Sequence, residues 1–197
     1  MDEQALIASA RKGDARAFNQ LVLLYQSMAY NVAYRILGDP DAAADATQDA
    51  FISAFKAMRK FRGGSFKSWI LRIVTNACYD QLRSKQRRPT DSLDDLPVEQ
   101  DHVRYLHDPA EQPDEYVERQ ELNQTIQRGI EILPPEQRVI VVLSDVQGLS
   151  YQEISEVTGL SLGTVKSRLS RGRAKIRDHL MQQRELLPSR YRLRDAG

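Results

Sequence analysis

The sequence contains one cysteine, Cys78, in 197 residues. A single thiol cannot form an internal disulfide, and it leaves no cysteine pair for zinc. The three histidines, His102, His107 and His179, lack the spacing of metal ligands. We therefore expect a buried structural thiol, no metal site and no cofactor.

Long apolar segments are also missing. The longest uninterrupted aliphatic run, Val139–Leu143, is far too short to span a bilayer. The N-terminal segment Met-Asp-Glu-Gln is acidic and lacks the apolar core of a signal peptide. No alternating strand pattern and no internal repeat is present, whereas apolar residues recur at helical spacing. These features predict an all-α protein in the cytoplasm, without membrane insertion.

The net charge of +1 says little, but the charges are strongly segregated along the chain. Residues 56–88 hold ten Lys and Arg against one Asp, and residues 162–194 hold ten against two acids. Residues 90–118 hold ten Asp and Glu against one Arg. Two basic blocks that flank an acidic one indicate two nucleic-acid surfaces joined by a charged connector.

Turn residues and apolar spacing divide the chain into two small helical domains. Four helices are predicted first, at about 3–12, 15–37, 40–60 and 66–86, with Gly13 and Gly38 as stops and Asp39 as a cap. Four prolines and little periodic apolar content then predict a flexible acidic linker. The predicted boundaries are 1–88 for the first domain, 89–116 for the linker, 117–181 for the second domain and 182–197 for a basic tail.

The second domain ends in a predicted helix-turn-helix. Ser150 and Glu153 have the spacing of a capping box, Gly159 supplies a tight turn, and Ser161 caps a second helix. The outer face of that second helix carries cations and hydroxyls, which suit the major groove of DNA. The simpler alternative is a short helical hairpin with a solvated basic face.

A second candidate site, residues 60–88, combines aromatic rings, cations and a glycine loop. Such a mixture binds single-stranded nucleic acid, since cations contact phosphates and planar groups stack on bases. We expect Trp69 and Ile73 to belong to the core instead. The candidate contacts, with Asn76 as a reader of an unpaired base edge, are Lys60, Arg62, Lys67, Arg72, Asn76, Arg83, Lys85, Arg87 and Arg88.

A third candidate site lies on the predicted third helix. Asp45, Gln48, Asp49 and Ile52 share one helical face. A solvated face is one interpretation, and a docking surface for a basic helical partner is the other.

Together these segments resemble a bacterial sigma factor of the extracytoplasmic-function (ECF) class within the sigma-70 family. The Asp45–Phe51 segment resembles the polymerase-binding part of sigma region 2, and the Phe61–Asn76 segment resembles its promoter-melting part. Leu133–Arg138 and the helix-turn-helix resemble region 4, which recognises the minus-thirty-five element. Asp49 departs from the family's usual glutamate, and Gly64 leaves the loop with less side chain than in many relatives.

The resemblance implies a transcription initiation factor rather than an enzyme, with no catalytic residues. Its implied partners are core RNA polymerase, through the largest and second-largest subunits, promoter DNA and an anti-sigma factor. The implied polymerase-binding face is Asp45, Gln48, Asp49 and Ile52, and residues 60–88 are the implied minus-ten site. The implied minus-thirty-five contacts are Thr164, Lys166, Ser167, Arg168, Ser170, Arg171 and Arg173.

Three alternatives remain open at the level of sequence. A helix-turn-helix regulator that works without polymerase would explain the second domain but not the basic-aromatic block. An enzyme targeted by its helix-turn-helix would need a constellation of titratable residues, and none is evident. An interaction adaptor would predict no effect from neutralising the arginines.

Overall fold

The structure, a computed structural model, describes residues 2–87 and 113–182, with side chains over 2–84 and 120–182. This described part of the chain is helical and contains no β-strand, which confirms the expected all-α class with two helical domains. None of its helices is long and apolar enough to cross a membrane. The helices are α1 (Glu3–Arg11), α2 (Ala15–Leu37), α3 (Pro40–Ala57), α4 (Phe66–Arg87), α5 (Pro113–Glu131), α6 (Pro135–Val141), α7 (Tyr151–Thr158) and α8 (Leu162–Gln182).

Capping residues mark the helix ends of the N-terminal domain: Gly38 and Asp39 have the predicted roles, and Asp14 is a further cap. Asp14 accepts from the Arg16 amide at 2.8 Å and begins α2, which ends at Gly38 with a φ of +75°. Asp39 caps α3 through the Ala42 amide at 2.9 Å. Small side chains cover the core face of α3, so α2 can approach it closely; the fully buried ones are Ala43, Ala46, Ala50 and Ala54.

Two predicted boundaries differ from the structure. Helix α3 ends at Ala57 rather than near Lys60, and a 3-10 turn over Met58–Lys60 follows it. The tighter turn buries Met58 and directs Phe61 into the core. Helix α5 begins at Pro113, inside the range predicted as linker, while the rest of that range and the predicted tail from 183 lie outside the described residues.

An aromatic cluster joins α2, the loop before α4 and α4 itself. Phe61 and Trp69 have ring centroids 5.0 Å apart, and Phe66 lies 5.4 Å from Trp69 and 5.2 Å from Tyr25. Trp69 and Ile73 are partly buried against the core, as expected. Cys78 is fully buried, and this burial raises the pKa of its thiol to about 12, in agreement with a structural role.

The C-terminal domain packs α8 against α6 through a glycine. A side chain at Gly172 would place its Cβ 2.7 Å from Cγ2 of Val141, so only hydrogen fits there. A π-helical turn over Val142–Val146 extends α6 towards the helix-turn-helix. The buried apolar residues of both domains form one continuous cluster, with α4 against α7 and α2 against α5.

Candidate nucleic-acid interface

Helices α7 and α8 form the predicted helix-turn-helix. The Ser150 hydroxyl accepts from the Glu153 amide at 3.3 Å, and the Glu153 carboxylate accepts from the Ser150 amide at 2.8 Å. Gly159 makes the turn with a φ of +73°. The Ser161 hydroxyl accepts from the Thr164 amide at 3.2 Å. The capping box, the turn and the second cap are therefore confirmed.

The outer face of α8 presents the predicted cations and hydroxyls to solvent. Opposite this face, Val165 and Leu169 are buried in the core. Arg171 lies along its own helix, where its Nε donates to the Ser167 carbonyl at 3.2 Å. The exposed candidates are Lys166, Ser167, Ser170, Arg171 and Arg173, whereas Thr164 and Arg168 are half-buried. This exposed set is accessible for contacts with both bases and phosphates.

Two of the candidate arginines on α8 already contact carboxylates. Arg168 pairs with Glu136 of α6 at 2.6 Å, close to Tyr79 of α4. Arg173 donates from Nε and Nη2 to the two carboxylate oxygens of Asp145, at 3.0 and 2.5 Å. These acids offset part of the positive charge on the outer face of α8.

The glycine loop before α4 stands open. Gly63 and Gly64 have φ values of +93° and +88°, and apart from the adjoining residues no described atom lies within 4 Å of the position that a Cβ would take at either glycine. Ser65 caps α4 by accepting from the Ser68 amide at 3.1 Å. The exposed Arg62 precedes the glycines, so backbone amides and a cation border an unobstructed space. A base lifted from a duplex could approach this backbone closely.

Helix α4 carries the remaining minus-ten candidates, in two environments. Asn76, Arg83 and Lys60, which precedes the loop, are exposed. Half-buried Lys67 and exposed Arg72 also contact the C-terminal domain: the Lys67 amine donates to the Gln147 carbonyl at 3.2 Å, and Arg72 donates to carbonyls of α7. The side chains of Lys85, Arg87 and Arg88 lie outside the described residues.

The predicted polymerase-binding face on α3 is fully available. Asp45, Gln48, Asp49 and Ile52 are all exposed, and Ile52 leaves 44% of its surface accessible. Beside them, α2, α3 and α5 enclose a cleft of about 1030 Å³, which Gln48, Ile52 and Phe55 help to line. An exposed row that mixes carboxylates with an apolar side chain can dock a basic helix.

Sequence reasoning missed two arginines that join the domains. The guanidinium of Arg138 donates to the Ile36 carbonyl of α2 at 2.7 Å, and that of Arg35 donates to the Gln127 side chain of α5 at 3.2 Å. Burial lowers the pKa of both arginines. Arg138 belongs to a motif that the sequence does display, but no periodicity reveals a partner about a hundred residues away.

No group of His, Cys, Asp or Glu within residues 2–87 and 113–182 is arranged to hold a metal ion. The described side chains bring together cations, hydroxyls, an amide and an open glycine loop. In other proteins, groups of these kinds bind nucleic acid by charge, hydrogen bonding and stacking.

Comparisons with known proteins agree with this arrangement. Residues 21–88 match the family Sigma-70 region 2, and residues 123–176 match Sigma-70, region 4. The chain is 38% identical to the ECF RNA polymerase sigma factor SigE of Mycolicibacterium smegmatis over 83% of its own length and 62% of that relative. It is 35% identical to the ECF RNA polymerase sigma-E factor of Escherichia coli, over 89% of this chain and 93% of the relative.

A solved structure supports the same fold. The structure of CnrH in complex with the cytosolic domain of CnrY superposes with a TM-score of 0.65 at 28% identity, over 92% of this chain and 99% of CnrH. Both sigma regions therefore match in sequence and lie in the expected order along one helical fold. The chain belongs to the sigma-70 family of RNA polymerase sigma factors, within the extracytoplasmic-function group.

Proposed function

We propose that this sigma factor binds core RNA polymerase through α3 and directs it to promoters with elements at minus thirty-five and minus ten. The observation that carries the proposal is the exposure of the α3 row, Asp45, Gln48, Asp49 and Ile52, beside a basic α4 and a separate helix-turn-helix. Polymerase contact and two DNA contacts then lie on different faces, so all three can be made at once.

Promoter recognition is divided between the two domains. The exposed side chains of α8 contact base edges of the minus-thirty-five element in the major groove. The loop around Gly63 and Gly64, with Asn76 on α4, holds an unpaired base of the minus-ten element. Capture of this base stabilises the melted duplex, because stacking and hydrogen bonds offset the cost of extrusion.

Two further partners follow from the same proposal. In core polymerase, the chain contacts the largest and second-largest subunits. It acts in the cytoplasm, where that enzyme works. An anti-sigma factor holds the chain inactive until a signal arrives, and the complex of CnrH with the cytosolic domain of a second protein supports such a partner.

Single-round transcription with purified core polymerase on fragmented host DNA tests the proposal. We expect discrete start sites that depend on the chain and that share sequence elements upstream. A variant with Asp45→Lys and Asp49→Lys should give no such start sites, because it no longer binds core polymerase. Start sites that are identical with and without the chain would overturn the proposal, and tight specific duplex binding without polymerase would favour an independent regulator.

A further inference from the structure

Exposed cations gather where the end of α1 meets the 3-10 turn before the glycine loop. Helix α1 ends at Arg11 and contacts the turn over Met58–Lys60. A Cβ built at Gly13 would lie 3.3 Å from Nη2 of Arg59, and Gly13 has a φ of +100°. The Arg59 guanidinium therefore lies close to the backbone that connects α1 with α2.

The cations of this corner come from three segments of the chain. Phe61 is buried, whereas its neighbours Lys60 and Arg62 are exposed just before Gly63. Arg16 is exposed in the first turn of α2. All six side chains are exposed, and together they are called the cationic strip: Arg11, Lys12, Arg16, Arg59, Lys60 and Arg62.

No carboxylate offsets the charge of the cationic strip. Among the described side chains, none of the six forms an ion pair or a hydrogen bond. Asp14 is the one acid in the segments 11–16 and 59–62, and its carboxylate already accepts from the Arg16 and Ala17 amides at 2.8 and 3.2 Å. Glu3, at the other end of α1, is roughly 12 Å from Arg11 by helical rise. The like charges therefore repel one another until an anion binds.

The needs of the fold explain only part of the cationic strip. Arg11 and Lys12 lie at the C-terminal end of α1, where cations stabilise the helix dipole. Arg16 lies in the first turn of α2, near the positive pole, where a cation is unfavourable. Helix dipoles thus account for two of the six cations and oppose a third, whereas an anionic partner accounts for all of them.

We propose that the cationic strip binds the phosphate backbone of promoter DNA, on one side of the base that the glycine loop captures. The inference rests on the proposed minus-ten function, which already includes Lys60 and Arg62. The new contacts are Arg11, Lys12, Arg16 and Arg59. The first three precede residues 21–88, which match Sigma-70 region 2. Contacts to phosphates position a strand without reading it, so the strip adds affinity but no sequence preference.

The position of the strip favours nucleic acid over an acidic protein segment. The strip is continuous with the open loop at Gly63 and Gly64, and a strand whose base enters this loop continues past its rim. Phosphates recur at every nucleotide, so one strand can meet cations that are spread over three segments. The strip therefore extends the minus-ten site towards α1.

An abasic single strand separates the strip from the base pocket, because it carries phosphates without bases. Lys12→Gln and Arg59→Gln each remove one new contact, and Arg128→Gln removes an exposed cation of α5 as the matched control. Affinity of the full chain for the abasic strand is measured at several salt concentrations. Each strip variant should lower the slope of log affinity against log salt by about 0.7, the value for one phosphate contact on a single strand. The control should keep the slope of the parent.

Hydroxyl-radical cleavage locates the strand in the complex with core polymerase. An iron chelate is attached at Ala8→Cys, an exposed position on α1, while buried Cys78 stays unmodified. On a promoter found by start-site mapping, cleavage should fall on one flank of the minus-ten element. A chelate at Glu121→Cys on α5, also exposed, should not cleave there.

Each outcome decides one part of the inference. Equal slopes for Lys12→Gln, Arg59→Gln and Arg128→Gln would remove the phosphate site, and loss of co-purification with core polymerase in the same strip variants would assign the strip to an acidic surface of that enzyme. Cleavage from Ala8→Cys away from the minus-ten element would overturn the placement. If the strip variants lower the slope while Asn76→Ala leaves the base preference unchanged, then the base pocket fails and the phosphate site stands.

Discussion

Arg173 on α8 and Asp145 in the π-helical turn form a two-point contact across the helix-turn-helix. The Nε of Arg173 donates to Oδ2 of Asp145 at 3.0 Å, and its Nη2 donates to Oδ1 at 2.5 Å. The hydrogen bonds that Arg173 donates to the Asp145 carboxylate raise the pKa of Arg173 above its ordinary value. The contact fixes the direction of the guanidinium and offsets its charge before DNA arrives.

Asp145→Asn should therefore release Arg173 for a phosphate. We expect tighter duplex binding without a change in sequence preference. The slope of log affinity against log salt should become steeper by up to about 0.9, the value for one added phosphate contact. Titrations of a DNA duplex at several salt concentrations measure this slope. Glu156→Gln on α7 removes a charge away from Arg173 and is the matched control; an equal slope in both variants would contradict the prediction.

Reversal of charge on α3 should separate polymerase binding from folding. Asp45→Lys together with Asp49→Lys places two cations where the proposed partner helix is basic, so co-purification with core polymerase should be lost. Helical circular dichroism should stay intact, because both side chains are exposed. Glu121→Lys, an exposed acid on α5, should still co-purify. If the double variant still co-purifies with polymerase, then the α3 row is a solvated face and not the polymerase-binding surface.

The local signals of the sequence proved reliable, since they act within a few residues. Ser150, Glu153 and Gly159 show their roles by spacing and residue type, and the structure places all three as expected. The whole of α2, from its Asp14 cap to Gly38, follows the same logic. Capping and periodicity are determined by neighbouring residues, so one sequence suffices to find them.

Contacts between distant residues could not be predicted in this way. Arg35 resembles any solvated cation on a helix until α5 is placed beside it. Asp145 lies 28 residues before Arg173, and no repeat or motif connects the two. The sequence predicts two domains and a connector, but the pairing of their surfaces depends on shapes that periodicity does not specify.

Arg171 should contribute specificity, whereas Arg173 should contribute affinity. Among the residues that the structure describes, exposed Arg171 donates along its own helix, to the Ser167 carbonyl and hydroxyl, so its side chain can turn to a base edge. Arg171→Ala should lose about 1–3 kcal/mol of discrimination at one or two minus-thirty-five positions. Competition binding across single-base variants measures this loss.

A matched variant separates the two roles on α8. Lys175→Ala removes an exposed cation further along the same helix and should weaken all sequences alike. Arg173→Ala should behave in the same way. If Arg171→Ala also weakens every sequence equally, then α8 serves only as a phosphate clamp.

The capping box should make the helix-turn-helix sensitive to acid. Hydrogen bonds from Ser150 lower the pKa of Glu153 below its ordinary value, and Lys67 of α4 adds to the shift. The unfolded chain therefore takes up a proton at a higher pH than the folded chain does. The contribution of Glu153 is complete above its ordinary pKa and is lost as pH falls through the lower, folded-state value.

Glu153→Gln should remove that part of the pH dependence. Near neutral pH the free energy of unfolding of the variant should be lower than that of the parent by up to about 1 kcal/mol, the scale of a helix cap. This difference should disappear in acid. Urea unfolding of parent and variant at several pH values measures it. Glu156→Gln, near the other end of α7, should have the same pH dependence as the parent. A stability difference between Glu153→Gln and the parent that does not change with pH would indicate packing rather than charge.

Asn76 carries the last prediction, which concerns promoter melting. It is exposed on α4, four residues after Arg72, so the two side chains lie about one helical turn apart on the same face. The open loop with Gly63 and Gly64 lies just before Phe66, where α4 begins. By helical rise, Asn76 lies about 15 Å along α4 from Phe66. Loop and Asn76 share one pocket only if the loop folds back along α4 when DNA enters.

Asn76→Ala should reduce open-complex formation on duplex promoters and change the preference at one minus-ten position. An amide both donates and accepts, so its loss leaves an extruded base without its specific partner. Polymerase binding and the minus-thirty-five contact should be unaffected, since α3 and α8 are separate surfaces. Arg62→Ala is the matched comparison: it should lower melting at every sequence, because a cation contacts phosphate rather than base. Permanganate reactivity of unpaired thymines across single-base promoter variants distinguishes the two, and an unchanged base preference in Asn76→Ala would exclude Asn76 from the pocket.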